Sequence, residues 1–361
     1  MKSIRVLLST VMLSAFTFIA QGAGLDVGIV LPTKDEPRWI QDQARFQAVL
    51  KTAGFSSEIL FSQGDSAKER ANVEALLTKG AKVIIICPHD GAAAAAAANE
   101  ARKSKAKVIS YDRLILNSAA VDYYVTFDSV QVGAAWGTYL SSQATGKGNN
   151  LYLYAGAASD NNAFLFFEGA WSILQPKLTD GTFVVRNSSE ASALKDKTKL
   201  SRQELAKIIG QVTTNWSFND AKGKAEANLT AASKAMKGTA YVCAPNDGTA
   251  RAIADVFALD KDVKKFFITG QDAEKASIQY IIDGRQSMTV LKDTRVLAGD
   301  AVAAAIAYLK GGAPAQVRTY PNGKIEVPAK PTAVVTVTKA NVKAAIVGSG
   351  YYAASDFKNL K

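Results

Sequence analysis

Histidine is almost missing from this 361-residue chain: there is one, His89, and there are only two cysteines, Cys87 and Cys243. Transition-metal centres are assembled from several imidazole and thiolate ligands, so no His₂ or His₃ site is available, and no metal or other cofactor is expected. The two thiols fall in strands of different halves of the chain and read as small buried hydrophobes, not as a disulfide. No G-x-G-x-x-G opens a helix and no G-x-x-x-x-G-K-[ST] occurs, which removes the usual nucleotide-phosphate cradles. No G-x-S-x-G elbow occurs either, so a serine hydrolase of that kind is excluded. Beyond residue 20 no apolar run is long enough to cross a bilayer.

The charge is one-sided, +11, or +9 without Lys2 and Arg5. A basic balance can serve nucleic acid, but the lysines are scattered along helices and loops, with no Arg-rich run and no basic stripe interleaved with aromatics. A solvated basic surface is the reading, with no nucleic-acid partner. Hydrophobic residues at 48% and charged residues at 21% are ordinary for a globular protein, and the length leaves room for two lobes with their own cores.

Residues 1–22 look like an address. Lys2 and Arg5 precede an uncharged run, Val6 to Ala20, and then the small-residue stretch A-Q-G-A. A basic start, a short apolar core and a small-x-small site describe a secretory signal peptide, cleaved after Gly22 or Ala23.

The rest is organised around a pattern that occurs twice. Residues 83–91 read V-I-I-I-C-P-H-D-G and residues 241–248 read Y-V-C-A-P-N-D-G. Each is an apolar strand ending in Pro, a hydrogen-bonding residue, Asp and Gly, followed by a helical pattern. A second strand with a polar tip follows each, V-I-S-Y-D-R (108–113) and F-F-I-T-G-Q-D (266–272). Strands alternate with helices along the whole chain, which implies right-handed crossovers and mostly parallel sheets. The fold class is α/β, with two Rossmann-like lobes. Ser66/Glu69 and Ser201/Glu204 have capping-box spacing, and 187–199 reads as a polar loop. In open α/β sheets ligands sit outside the carboxyl ends of the strands, which here would face each other across a cleft.

The predicted strand ends gather Arg38-Trp39, His89-Asp90, Asp112-Arg113, Asp160-Asn161-Asn162, Asn246-Asp247, Asp272 and Lys292. A polyhydroxylated neutral ligand requires such donors and acceptors, because each hydroxyl must be paired on burial. Its apolar C–H faces stack on aromatics, for which Trp39, Trp216 and Phe166 are available. Each residue also has a plainer reading. Trp39 lies seven residues before Phe46 and continues a buried helical stripe. Asp90 and Asp247 precede helices and fit N-caps. Trp216 fits a helix anchor, and His89 a structural histidine.

The segments K-D-E-P-R-W-I-Q-D (34–42), V-I-S-Y-D-R-L (108–114), S-D-N-N-A (159–163), N-D-G-T (246–249), T-G-Q-D-A-E (269–274) and T-V-L-K-D-T-R (289–295) resemble those of bacterial periplasmic sugar-binding proteins that feed ABC transporters. The likeness is to their xylose-binding and multiple-sugar-binding branch, and it runs from about residue 25 to 352. It implies the type I periplasmic-binding-protein fold, two lobes joined by three hinge strands, closing on one monosaccharide. The lobes expected are 24–128 plus 292–322 and 129–291 plus 323–361. Carried over by motif, Arg38, Asp112 and Arg113 would bind sugar oxygens from the first lobe. Asn162, Asn246 and Asp272 would do so from the second, supported by Asp160 and Asp247. Trp39 and Trp216 would stack, Lys292 would stand at a lobe crossing, and His89 would tune specificity. The resemblance further implies a monomeric receptor in the periplasm, not an enzyme. Its partners would be an aldopyranose such as xylose, glucose, galactose or arabinose, a membrane permease with its ATPase, and a chemotaxis or sensor receptor. The rival readings are the same fold holding a polyol, cyclitol or autoinducer, a carbohydrate-active enzyme, and a sugar-responsive DNA-binding regulator.

Overall fold

The structure, a computed structural model, describes residues 24–360; the leader expected over 1–22 lies outside the described residues. The chain first alternates β1 (Val27–Leu31), α1 (Pro37–Ala53), β2 (Ser57–Phe61), α2 (Ser66–Thr78), β3 (Val83–Ile86), α3 (Ala94–Lys103), β4 (Lys107–Tyr111) and β5 (Tyr123–Phe127). Then come α4 (Ser129–Gln143), β6 (Asn149–Leu153), α5 (Asn161–Thr179), β7 (Phe183–Val185), α6 (Ser189–Ala193), α7 (Arg202–Val212), α8 (Phe218–Ala231) and β8 (Gly238–Cys243). The remaining elements are α9 (Asp247–Leu259), β9 (Val263–Ile268), α10 (Lys275–Asp283), β10 (Met288–Leu291), α11 (Thr294–Leu309), β11 (Arg318–Pro321), β12 (Glu326–Thr332) and β13 (Val335–Thr338).

Two main sheets result. One has the order β11-β12-β5-β4-β3-β1-β2 and the other β7-β6-β8-β9; β10 and β13 form a separate antiparallel pair. All strand pairs inside the two main sheets are parallel except β11–β12. The central strands V-G-I-V-L and V-I-I-I are buried at every position, as a sheet covered by helices on both faces requires. The alanine run opens α3, where Ala94, Ala97, Ala98 and Ala101 lie against the first sheet; side chains this small let helix and sheet approach closely.

The chain passes between the two halves three times: from β5 to α4 at Asp128, from β10 to α11 at Lys292 and Asp293, and from β12 to β13. The first and third crossings touch, the Asp128 N–H donating to the Thr332 carbonyl at 3.1 Å. These are the three hinge strands of the two-lobed α/β fold.

The structure differs from the sequence reading in three places. The stretch 323–361 was expected wholly in the second lobe, but β12 pairs in parallel with β5 of the first sheet. Val327 and Ala329 explain it, because both are fully buried in that sheet's core; only β13 crosses over, to pair with β10. Ser66 and Glu69 do not form a capping box. Asp65 caps α2 by accepting from the Lys68 N–H, and Glu69 turns inward to accept from the His89 N–H at 2.8 Å. The polar stretch after β7 holds the short helix α6, capped by Ser188, while Ser201/Glu204 does form the capping box that opens α7. Both cysteines are buried free thiols.

Candidate ligand-binding site

The carboxyl ends of both parallel sheets deliver polar side chains to one place. From the first sheet, Pro37 starts α1 without needing an N–H partner, which sets Arg38 and Trp39 in its first turn; both are almost fully buried. Asp112 and Arg113 follow β4. From the second sheet come Asp160 and Asn162 after β6, Asn246 after β8, and Gln271 and Asp272 after β9. Lys292 stands on the crossing from β10 to α11, Phe166 on α5, and Trp216 between α7 and α8. Together with Glu36 they line one space that is partly open to solvent.

Ion pairs organise the floor. The Arg38 guanidinium reaches Asp42 (2.6 Å), Asp112 (2.8 Å) and Asp272 (3.2 Å). Lys292 Nζ lies 3.0 Å from Asp272 and 3.7 Å from Asp112. Arg113 joins Asp160 (3.0 Å) and Glu36 (3.3 Å). Four carboxylates of the enclosing ring thus face three cations, with Asp42 behind them held by Tyr111 and Arg38. Burial alone would raise the Asp112 carboxyl, but the charges of Lys292 and Arg38 outweigh it and hold Asp112 at about 2. For Asp160 burial wins over Arg113 and the carboxyl is raised. Burial works against the Arg113 charge as well, yet Asp160 and Glu36 keep it firmly protonated.

Amides complete the ring. Asn162 Nδ2 donates to the Asp112 carbonyl at 2.9 Å. Asn246 Oδ1 caps α9 through the Thr249 N–H, and its amide nitrogen has no protein partner among the described residues. Gln271 donates to the Pro245 carbonyl, while its buried Oε1 is unpartnered. Aromatic faces close the space. Trp39 is flanked by the guanidiniums of Arg38 and Arg113, 4.8 and 5.0 Å from its ring, and Trp216 stands edge-to-face with Phe166. Asp112, Trp216 and Asp272 have φ of 58°, 61° and 97°, strained values for non-glycine residues that tend to occur at functional sites.

Of the twelve residues expected from the sequence, ten line this space: Arg38, Trp39, Asp112, Arg113, Asp160, Asn162, Trp216, Asn246, Asp272 and Lys292. Asp247 does not. It is fully buried behind the ring, accepting from Gln286, Thr289 and the Glu274 N–H at 2.8 to 2.9 Å, so it braces the loop that carries Asp272. His89 lies outside the ring, in the wider mouth of the cleft. Glu36 and Gln271 were not singled out. Both lie inside quoted segments next to chosen residues, Glu36 before Pro37-Arg38 and Gln271 before Asp272, and that adjacency was the available signal.

A pair of parallel sheets presenting a polar, aromatic-walled cleft across three crossings defines a two-lobed binding protein. Residues 27–313 match the model of the periplasmic binding protein domain, and the chain belongs to that family. It is 34% identical to the multiple sugar-binding periplasmic receptor ChvE of Rhizobium radiobacter, over 99% of this chain and the whole of that protein. It is 35% identical to the multiple sugar-binding periplasmic protein SbpA of Azospirillum brasilense, over 92% of this chain and 91% of that one. A solved carbohydrate transporter solute binding protein from Chloroflexus aurantiacus, in complex with D-glucose, is 68% identical with a TM-score of 0.92, covering 93% of this chain and 99% of that one.

Proposed function

We propose that the chain is the periplasmic substrate-binding component of an ABC sugar importer, with an aldopyranose as ligand and D-glucose first among the candidates. The observation that carries this reading is the ring itself: charged and amide donors and acceptors from both sheets, with tryptophan and phenylalanine faces between them. The charged groups are ion-paired with one another, and their remaining donors and acceptors suit the hydroxyls of a neutral ligand. The glucose complex of the 68% identical protein supports glucose; the multiple sugar-binding relatives support a range that includes xylose, galactose and arabinose.

The lobes we propose follow the sheets: 24–128, α11 and the strands β11 and β12 on one side, the remainder on the other. Arg38, Asp112 and Arg113 hold the sugar from the first, Asn162, Asn246, Gln271 and Asp272 from the second, and Lys292 from the crossing. Because both sides contribute bonds only when they meet, ligand stabilises the closed form, which is handed to a membrane permease. The segment 1–22 directs export to the periplasm. Binding without turnover is the reading that the multiple sugar-binding relatives support.

The test is calorimetric titration of residues 24–361 with D-glucose, D-xylose, D-galactose, L-arabinose, myo-inositol and sorbitol. Saturable binding of one or more aldoses, lost in Asp272→Ala, supports the reading. Binding of myo-inositol or sorbitol alone would keep the fold and replace the ligand.

A further inference from the structure

The mouth of the cleft holds a second space, larger than the inner one at about 980 Å³ and also part open. The two share a wall made of Glu36, Arg113 and Trp216. This space draws on the β3–α3 loop of the first sheet on one side, and on the α7–α8 connection and Ala157, after β6 of the second sheet, on the other. It therefore adjoins the inner space across that wall.

Its side chains are those a sugar ring would use. Both imidazole nitrogens of His89 lack a hydrogen-bond partner among the described residues, although its backbone is pinned by buried Glu69. Burial and the nearby Arg113 lower its pKa, so it stands as a neutral imidazole with one donor and one acceptor, the pairing that adjacent hydroxyls need. Across the mouth lies Phe218, 45% exposed, and beside it the exposed Asn219. An apolar face next to free donors and acceptors is the arrangement that holds the C–H face and the hydroxyl edge of a pyranose.

Resting on the sugar reading of the inner site, we propose that this mouth is a second subsite, and that the protein also takes disaccharides, one ring inside and the second ring between His89 and Phe218. Trp216, common to both spaces, then lies alongside the glycosidic bond. The ligand class is a neutral disaccharide containing a ring that the inner site accepts.

Competition calorimetry tests this. Residues 24–361 are titrated with D-glucose, then with cellobiose, gentiobiose, maltose and isomaltose, alone and in the presence of glucose; Phe218→Ala and Asn219→Ala are treated alike. The expected result is at least one disaccharide that competes with glucose, with an affinity lowered about tenfold or more in Phe218→Ala while glucose affinity stays within about twofold. Glucose binding with no competing disaccharide overturns the proposal and leaves the inner site intact. Equal losses for both ligands in Phe218→Ala also overturn it, since the mouth would then be acting only through the shared wall. If glucose and the other aldoses fail as well, the sugar reading itself fails and this inference falls with it.

Discussion

Arg38 and Asp272 are 234 residues apart in sequence, and their side chains meet at 3.2 Å across the cleft. The same guanidinium holds Asp42 and Asp112 on its own side, so one cation contacts three buried carboxylates, two of which Lys292 also faces, and ties the two sheets' strand ends together. Removing one partner of a buried pair leaves the others as uncompensated charge, which costs about 3–5 kcal/mol. Arg38→Met keeps the bulk and removes the charge. It should lose roughly that much stability in urea unfolding and should abolish aldose binding. A variant of unchanged stability would mean that Lys292 alone suffices for the pair Asp112 and Asp272.

Trp216 is seated against the bare backbone of Gly156: a Cβ there would lie 2.0 Å from the indole ring. Gly156→Ala must therefore displace the ring without touching any polar residue of the site. Aromatic stacking contacts are worth about 0.5–1.5 kcal/mol, so aldose affinity should fall by up to about tenfold in this variant and by a similar or larger factor in Trp216→Ala. Tryptophan fluorescence titration measures both. Undiminished affinity in Gly156→Ala would show that the ligand does not use the Trp216 face.

The site's composition was largely legible because the strand ends repeat. A polar dipeptide after an apolar run marks the carboxyl end of a parallel strand, and the parallel topology then brings those ends together. What could not be read was which member of a dipeptide faces the cleft. Asn246 and Asp247 are equally polar, but Asn246 both caps α9 and lines the space while Asp247 turns back toward Gln286 and Thr289. That choice is made by backbone direction at the loop, not by composition. Glu69 was misread for a related reason. Its spacing from Ser66 fits a capping box, yet Asp65 takes the cap and Glu69 packs under the β3 tip. The placement of β12 depended on a long-range pairing with β5, about two hundred residues earlier, to which local alternation is blind.

Helices α4 and α5 meet backbone to backbone. A Cβ on Gly133 would lie 1.8 Å from the Phe166 carbonyl oxygen, and one on Gly169 would lie 2.0 Å from that of Val130. Phe166 also walls the inner space, so the spacing of this helix pair sets part of the site. Gly169→Ala should separate the helices, at an overpacking cost of about 3 kcal/mol, and weaken aldose binding through Phe166. Paired urea unfolding and calorimetry check the two effects, and an unperturbed unfolding curve would show that the helices slide apart freely.

Glu69 gives the fold a pH dependence. It is 1% exposed, and one carboxylate oxygen accepts from the His89 N–H while the other has no partner. Burial raises the carboxyl to about 7, against the opposing pull of the His89 N–H and of Arg113, with Asp90 adding to the rise. The folded protein thus holds this proton more tightly than the unfolded chain. Its contribution is complete below the ordinary carboxylate range near 4.5 and is lost as pH rises through about 7. The size is about 3 kcal/mol at most, from 1.36 kcal/mol per pKa unit. His89, with its pKa lowered by burial and by Arg113, acts in the opposite sense, but it is present in both proteins compared. Glu69→Gln keeps an acceptor for the His89 N–H and cannot ionise. Urea midpoints from pH 5 to 8 should therefore fall for the wild type and fall less for the variant, by an amount worth about 2.5 kcal/mol. Parallel curves would mean that Glu69 ionises in the folded state as readily as in the unfolded chain, with its charge carried by Arg113.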